Sequence, residues 1–141
     1  MIEKYINKIS GPMLDRIDIH IEVQQVKYDE LNSNNHSETS EEVRKRVDIA
    51  RQIQNERYKE FGIYSNSELN NNMIEEYCSI NEESKVMLKK AFDKFGLSVR
   101  AYHKILKVAR TIADLEENKN IQTSHVAEAI QYRSLDRKYW K

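Results

Sequence analysis

The sequence contains few of the residues that interrupt regular secondary structure. Only three glycines and one proline occur among its 141 residues. Turns with positive φ and fixed bends are therefore rare, which favours long helices over a turn-rich β architecture. The single cysteine, Cys78, excludes an internal disulfide framework. Together with the absence of a signal-peptide pattern, it is typical of a reducing compartment, and we expect a cytoplasmic protein.

Other absences limit the ligands and partners. Lysine plus arginine and aspartate plus glutamate both number 23, so no net charge draws the chain onto nucleic acid or an anionic membrane. No apolar run approaches the roughly 20 residues that span a bilayer, and we expect no membrane partner. The four histidines and Cys78 do not stand at the spacing of metal ligands, which predicts no metal site.

A phosphate-binding loop is also missing from the sequence. No Gly-x-x-x-x-Gly-Lys-[Ser/Thr] motif occurs, and Gly11, Gly62 and Gly96 are too far apart to cradle a phosphate together. We therefore expect that this chain alone neither hydrolyses ATP nor binds a cofactor tightly.

Helices are predicted where a capping residue precedes apolar residues that recur every 3.6 positions. The predicted caps are Ser40, Asn81 and Ser98, and their helices run to about Phe61, Phe95 and Glu116, with Gly62 and Gly96 as stops. A short helix at Met73–Cys78 and a last helix from Thr123 complete this region. The helix that follows Ser98 has the most regular apolar stripe and is expected to be central to the core.

The first part of the chain has a different pattern. Met1–Ile9 predicts a short helix, and Ser10-Gly11-Pro12 predicts a change of chain direction. Alternation of apolar and polar residues then predicts one strand, with Ile17, Ile19, Ile21 and Val23 on its buried face. Because a lone strand leaves backbone groups unpaired, we expect its sheet partner to lie outside this sequence. The asparagine-rich stretch Asn32–Ser37 marks a domain boundary.

Arg16 is the first candidate functional residue. It stands between the short helix and the predicted strand, where a loop can present its guanidinium beyond the surface. A planar, always charged guanidinium stabilises charge that spreads over the oxygens of a transferring phosphoryl group. The alternative is an ordinary surface ion pair with Asp15 or Asp18.

Arg100 is the second candidate. It stands in the first helical turn after Ser98, where free backbone N–H groups and the helix dipole favour an anion. Lys104 and Lys107 extend it into a basic ridge along one helix face. For these two lysines, the alternative is the solvated face of an amphipathic helix.

Three separated stretches resemble one protein family. They contain Ser-Gly-Pro-Met-Leu-Asp-Arg-Ile-Asp (10–18), Gly-Leu-Ser-Val-Arg-Ala-Tyr (96–102) and Ala-Glu-Ala-Ile-Gln-Tyr-Arg (127–133). In this order they resemble the C-terminal part of the ComM/YifB family of magnesium-chelatase-like AAA+ ATPases. The resemblance implies a mainly α fold, in which residues 1–31 are the end of the α/β ATPase core, with its last strand, and residues 32–141 are the C-terminal helical lid domain.

The same resemblance implies a role for each arginine. Arg16 matches the arginine finger, which acts in trans on the γ-phosphate of ATP in the adjacent subunit, and Arg100 matches the sensor-2 arginine of the lid. The family's Walker A, Walker B and sensor-1 residues precede the part that this chain resembles. The intact protein is therefore expected to be a homo-oligomeric, ring-forming ATPase that uses ATP and Mg²⁺ to drive DNA branch migration or remodelling.

Two alternatives remain at this point. The same ATPase machinery also drives metal insertion into a tetrapyrrole, in which case the chain is part of a magnesium-chelatase ATPase subunit. The other alternative is a helical protein-interaction module that has no link to nucleotide.

Overall fold

The computed structural model describes residues 11–21, 23–25 and 38–133. Within these ranges the chain is mainly helical, which confirms the predicted fold class. The helices are α1 (Gly11–Leu14), α2 (Ser40–Tyr58), α3 (Asn71–Tyr77), α4 (Glu82–Phe95), α5 (Val99–Leu115) and α6 (Thr123–Gln131), with single 3₁₀ turns at Lys59–Phe61 and Asn66–Glu68. The predicted helix Met1–Ile9 and loop Asn32–Ser37 lie outside the described residues.

Helix ends in the second half follow the predicted caps closely. Asn81 and Ser98 each accept a hydrogen bond from the backbone N–H three residues later, at 2.8 Å and 3.0 Å. Gly96 ends α4 with φ of 57°, a left-handed conformation that glycine adopts without strain. Gly62, with φ of 69°, ends the 3₁₀ turn Lys59–Phe61, whereas α2 itself ends at Tyr58, before the predicted Phe61. The sequence therefore determines these boundaries through local hydrogen bonding and backbone freedom.

The cap of α2 differs from the prediction by one residue. Thr39, not Ser40, is the N-cap, and it forms a capping box with Glu42. The Glu42 N–H donates to Thr39 Oγ1 at 3.3 Å, and the Thr39 N–H donates to Glu42 Oε2 at 2.7 Å. The reciprocal bond from a glutamate at the third helical position favours Thr39, because Ser40 has Val43 at the equivalent position.

Helix α5 is the centre of the fold, as predicted. It packs against α2, α3 and α6, while α4 packs on α6. Its apolar stripe is buried and includes Ala101, Ile105, Leu106, Ala109 and Ala113. Leu88 of α4 and Val126 of α6 complete the same core. Each large apolar side chain buried here contributes about 1.5–3 kcal/mol to folding.

The apolar residues of α2 recur near one stripe in the sequence, which predicts a buried face at Val43, Val47, Ala50, Ile53 and Tyr58. The first half of the helix packs less than this pattern predicts. Val43 and Val47 are both 40% exposed, whereas Ala50 and Tyr58 are buried. The predicted stripe is therefore correct for the second half of α2 and wrong for the first half. The helix extends beyond the part of the core that the described residues provide.

A buried polar network joins α2 to α5. Asp114 is 0% exposed and receives two hydrogen bonds from Arg57, at 3.0 Å and 2.5 Å. Asn66 donates to the same carboxylate at 2.9 Å, and Arg110 donates its Nε–H to it at 3.2 Å. Burial alone lowers the pKa of Arg57, but hydrogen bonds and the Asp114 charge outweigh this and raise it above its ordinary value. A buried carboxylate of this kind is stable only because several donors satisfy it.

The predicted strand is not formed within the described residues. Residues 17–21 and 23–25 have no regular secondary structure, and Ile19, Ile21 and Val23 are 45%, 68% and 89% exposed. The physical reason is that a strand needs a neighbouring strand to pair its backbone groups, and the described residues supply none. The alternating pattern alone does not form a strand, because pairing depends on a partner.

Candidate functional site

The segment that contains Arg16 lies against the start of α5 and the end of α6. Pro12 stands in the first turn of α1, where its missing N–H has no helical acceptor to lose. The Arg16 N–H donates to the Met13 carbonyl at 3.1 Å and closes the turn that follows. Further along, the His20 N–H donates to the Tyr132 carbonyl at 2.9 Å. The second of these bonds attaches the segment to the end of α6.

Asp15 joins this segment to the N-terminus of α5. Its carboxylate accepts a hydrogen bond from Ser98 Oγ at 2.9 Å, while Ser98 also caps α5. Two guanidinium groups lie close to the same carboxylate, Arg133 Nη2 at 3.6 Å and Arg100 Nη1 at 3.8 Å. A negative charge at this helix end is stabilised by the helix dipole as well as by the two cations.

Lys104 and Arg133 hold the backbone at Arg16 and at the residue that follows it. Lys104 Nζ donates to the Arg16 carbonyl and lies 2.6 Å from Asp18 Oδ1. Arg133 Nη1 donates to the Ile17 carbonyl. The Lys104 and Arg133 side chains are only 16% and 2% exposed, so both cations are largely removed from water. Hydrogen bonds from charged donors are stronger than those between neutral groups, so these contacts restrain the segment.

The Arg16 side chain takes no part in these contacts. It is exposed, and among the described residues it forms no ion pair. The alternative that Arg16 pairs with Asp15 or Asp18 is therefore wrong for this structure. Those two carboxylates are instead occupied by cations from α5 and from the end of α6.

The basic ridge predicted along α5 is only partly present. Arg100 is 60% exposed and stands in the first turn, as predicted. Lys104 is bound to the Arg16 segment, and Lys107 Nζ donates to the Ser67 carbonyl at 2.9 Å. Burial also lowers the pKa of Lys107. Neither lysine is on a freely solvated face, and Arg100 is the cation of this ridge that is accessible to a ligand.

The sequence assigns no role to Arg133, and it suggests Asp15 only as an alternative ion-pair partner of Arg16. Both lie within the stretches that carry the family resemblance, but neither stands at a periodic or capping position that points to a contact 118 residues away in the chain (133 − 15). The hydrogen bond from Ser98 to Asp15 is equally non-local. The sequence does show charged residues near the two candidate arginines. It does not specify which of these charges form ion pairs.

Other reactive groups in the described residues are structural. Cys78 is buried, and burial raises the pKa of its thiol to about 11, which keeps it protonated and unreactive. His125 is buried, with Nε2 at 2.9 Å from Glu116 Oε2 and Nδ1 accepting from the Gln122 N–H. No cluster of three or more potential metal ligands occurs in residues 11–21, 23–25 and 38–133. None of the helices in these ranges is both long and apolar enough to span a bilayer.

Comparison with known families identifies the chain. Residues 37–133 match the model for the C-terminal part of magnesium chelatase subunit ChlI, and residues 1–31 match the model for magnesium chelatase subunit ChlI. The chain belongs to the magnesium chelatase ChlI family. This confirms the resemblance seen in the three sequence stretches.

Individual relatives are consistent with the family match. Competence protein ComM of Haemophilus influenzae is 46% identical over 96% of this chain. Proteins named YifB from Salmonella typhimurium and Escherichia coli are 37% and 36% identical over 95% of it. In each case the chain spans 26% of the relative's length.

Proposed function

We propose that this chain is the C-terminal part of a ring-forming AAA+ ATPase, in which Arg16 is an arginine finger and Arg100 is a sensor-2 arginine. The family match and the resemblance to ComM and YifB proteins support an ATPase of this class. ATP and Mg²⁺ would be held by parts of the full-length protein outside this sequence. Residues 1–31 would then end the ATPase core, and residues 32–141 would form the lid domain.

The guanidinium of Arg16, which is exposed and has no ion pair within the described ranges, is the observation that carries this proposal. Its neighbours Asp15 and Asp18 are engaged by other cations, so the Arg16 charge is not neutralised within the described part of its own chain. The backbone beside it is restrained, which fixes where the side chain starts. An exposed arginine on a restrained backbone, with no ion pair among the described residues, is suited to a phosphate on a neighbouring subunit.

Arg100 would contact nucleotide from the lid. It extends from the first turn of α5, where the helix dipole already favours an anion, and more than half of its side chain is exposed. The Asp15 carboxylate, 3.8 Å from Arg100, demonstrates that an anion is accommodated beside this helix end. A phosphate group that reached Arg100 would be recognised by the same charge.

DNA is the substrate that we propose for the intact ring. The net charge of this chain is +0, so the chain itself supplies no general attraction for DNA, and contact with DNA would come from elsewhere in the assembly. The proposal rests on the similarity to a protein named competence protein ComM. Stimulation of ATP turnover by branched DNA, compared with linear duplex of the same length, would test it.

The ATP-related role is tested by replacing Arg16 in the full-length protein. Arg16→Ala should lower kcat by about a thousandfold and leave ATP binding intact, because an arginine finger acts on the transition state. Mixing it with subunits that carry a defective phosphate-binding loop should restore turnover, since each variant lacks what the other supplies. Arg51→Ala, at an exposed position on α2, is the matched control and should be silent.

The results also separate the alternative functions. If Arg16→Ala turns over ATP normally, a helical interaction module without a nucleotide role is favoured. If mixed rings assemble and remain inactive, Arg16 does not act in trans. The second candidate is a magnesium chelatase motor, which the matches to the ChlI family models support. This candidate predicts that a tetrapyrrole substrate with Mg²⁺ stimulates ATP turnover whereas branched DNA does not.

A further inference from the structure

Lys104 occupies an unusual position for a lysine on an amphipathic helix. Its ammonium group contacts the Arg16 carbonyl and the Asp18 carboxylate, so it binds the chain at Arg16 and again two residues later. The side chain is 16% exposed, so it crosses the surface of α5 instead of extending into water. Lysine side chains usually keep the charged end solvated unless a partner compensates for the loss of water.

A second cation strengthens the same attachment. Arg133, 2% exposed at the end of α6, donates to the Ile17 carbonyl and lies 3.6 Å from Asp15 Oδ1. Asp15, Arg16, Ile17 and Asp18 are therefore each contacted, through backbone or carboxylate, by a cation of the helical domain. The only charged side chain of the four left without an ion pair among the described residues is Arg16 itself.

We infer that Lys104 is a positioning residue for Arg16, which attaches the proposed arginine finger to the lid helix that carries Arg100. This rests on the proposed function of Arg16. Lys104 stands one helical turn after Arg100 on α5. Asp15, the residue before Arg16, contacts Arg100 and Ser98 at the start of the same helix. A movement of α5 that follows nucleotide contact at Arg100 therefore carries the Arg16 segment with it, which couples one subunit's lid to the neighbouring ATP site.

The attachment predicts an effect on catalysis and not on ATP affinity. Loss of the Lys104 ammonium frees the backbone on one side of Arg16 and leaves the guanidinium itself unchanged. Because misplacement of a catalytic group by about 1 Å can cost about a hundredfold, Lys104→Met should lower kcat of the full-length protein by about tenfold or more. The KM for ATP should stay within about twofold, since binding of the ground state is not affected.

A double substitution distinguishes positioning from a general structural effect. If Lys104 acts through Arg16, adding Lys104→Met to Arg16→Ala should lower kcat no further than Arg16→Ala alone. Lys104→Arg, which keeps a cation that can reach both acceptors, should recover part of the lost turnover. Lys90→Met, at an exposed position on α4, is the matched control and should match the wild type.

Three results would overturn the inference. These are normal kcat in Lys104→Met, an effect of Lys104→Met that is undiminished in the Arg16→Ala background, or an equal loss in Lys90→Met. If Arg16→Ala itself has normal turnover, the proposed function fails first. If Arg16→Ala is impaired and Lys104→Met is not, only the attachment fails.

A second variant decides the question if Lys104→Met does not assemble. Asp18→Asn removes the carboxylate that lies 2.6 Å from Lys104 and changes an exposed residue outside the core. It should lower kcat and speed hydrogen exchange of the His20 amide, whose bond to the Tyr132 carbonyl belongs to the same attachment. Unchanged kcat together with unchanged exchange of that amide would contradict the inference.

Discussion

Two regions of this protein are held in place in different ways. Residues 38–133 enclose an apolar core and a fully buried carboxylate, Asp114, whose oxygens are satisfied by side chains from several parts of this region. Residues 15–20 contribute little to that core and are attached at the surface by Lys104, Arg133 and Ser98. Stability and the proposed phosphate chemistry are therefore assigned to separate sets of residues, so a substitution can affect one without the other.

The largest effect on stability is expected at Asp114. Asp114→Ala leaves Arg57 and Arg110 without their shared carboxylate, and loss of one partner of a buried ion pair costs about 3–5 kcal/mol. The free energy of unfolding, measured by urea titration, should fall by this amount. Asp93→Ala, an exposed position on α4, is the control and should change it by less than about 0.5 kcal/mol.

The Asp114 result tests whether the helical region and the 15–20 segment contribute separately to stability. If Asp114→Ala unfolds no more easily than Asp93→Ala, the network is not what stabilises the helical region. If a substitution in the 15–20 segment costs as much as Asp114→Ala, that segment belongs to the cooperative core and the division is wrong.

The helices were predictable because their signals are local. Asn81 and Ser98 cap the helices that they precede, and Gly96 ends α4, because capping bonds span three residues and positive φ is a property of one residue. The predicted α2 cap, Ser40, is one residue too late. The reciprocal hydrogen bond between Thr39 and Glu42 makes Thr39 the cap.

The site was only half predictable from the sequence. Arg16 and Arg100 stand where the motifs placed them, one exposed beside α1 and one in the first turn of α5. Their roles remain predictions. The contacts of Lys104 and Arg133 with the Arg16 segment depend on how distant parts of the chain meet, which no local pattern encodes. For the same reason, an alternating apolar pattern predicted a strand whose pairing needs a partner.

A smaller effect is expected at the start of α2, which belongs to the helical region but is exposed like the Arg16 segment. Thr39→Ala removes the capping box and should cost about 1 kcal/mol of unfolding free energy. Ser40→Ala, at the neighbouring position, makes the matched control and should cost almost nothing, because Ser40 is not the cap. Equal losses from the two substitutions would show that the Thr39 hydroxyl is not the group that stabilises the helix end.

The smallest effect on stability is expected at Arg100. Its replacement should affect the response to nucleotide while leaving the unfolding free energy almost unchanged. Its contact with Asp15 is a long one at 3.8 Å and its side chain is 60% exposed, so Arg100→Ala should change the unfolding free energy by less than about 0.5 kcal/mol. In the full-length protein, however, it should remove the nucleotide-dependent protection of α5 amides in hydrogen exchange, because the charge that recognises phosphate is gone. Arg51→Ala should retain that protection. If protection persists in Arg100→Ala, Arg100 is not the residue through which nucleotide protects α5. If the unfolding free energy instead falls by more than about 1 kcal/mol, Arg100 contributes to folding, and stability and function are not assigned to separate residues here.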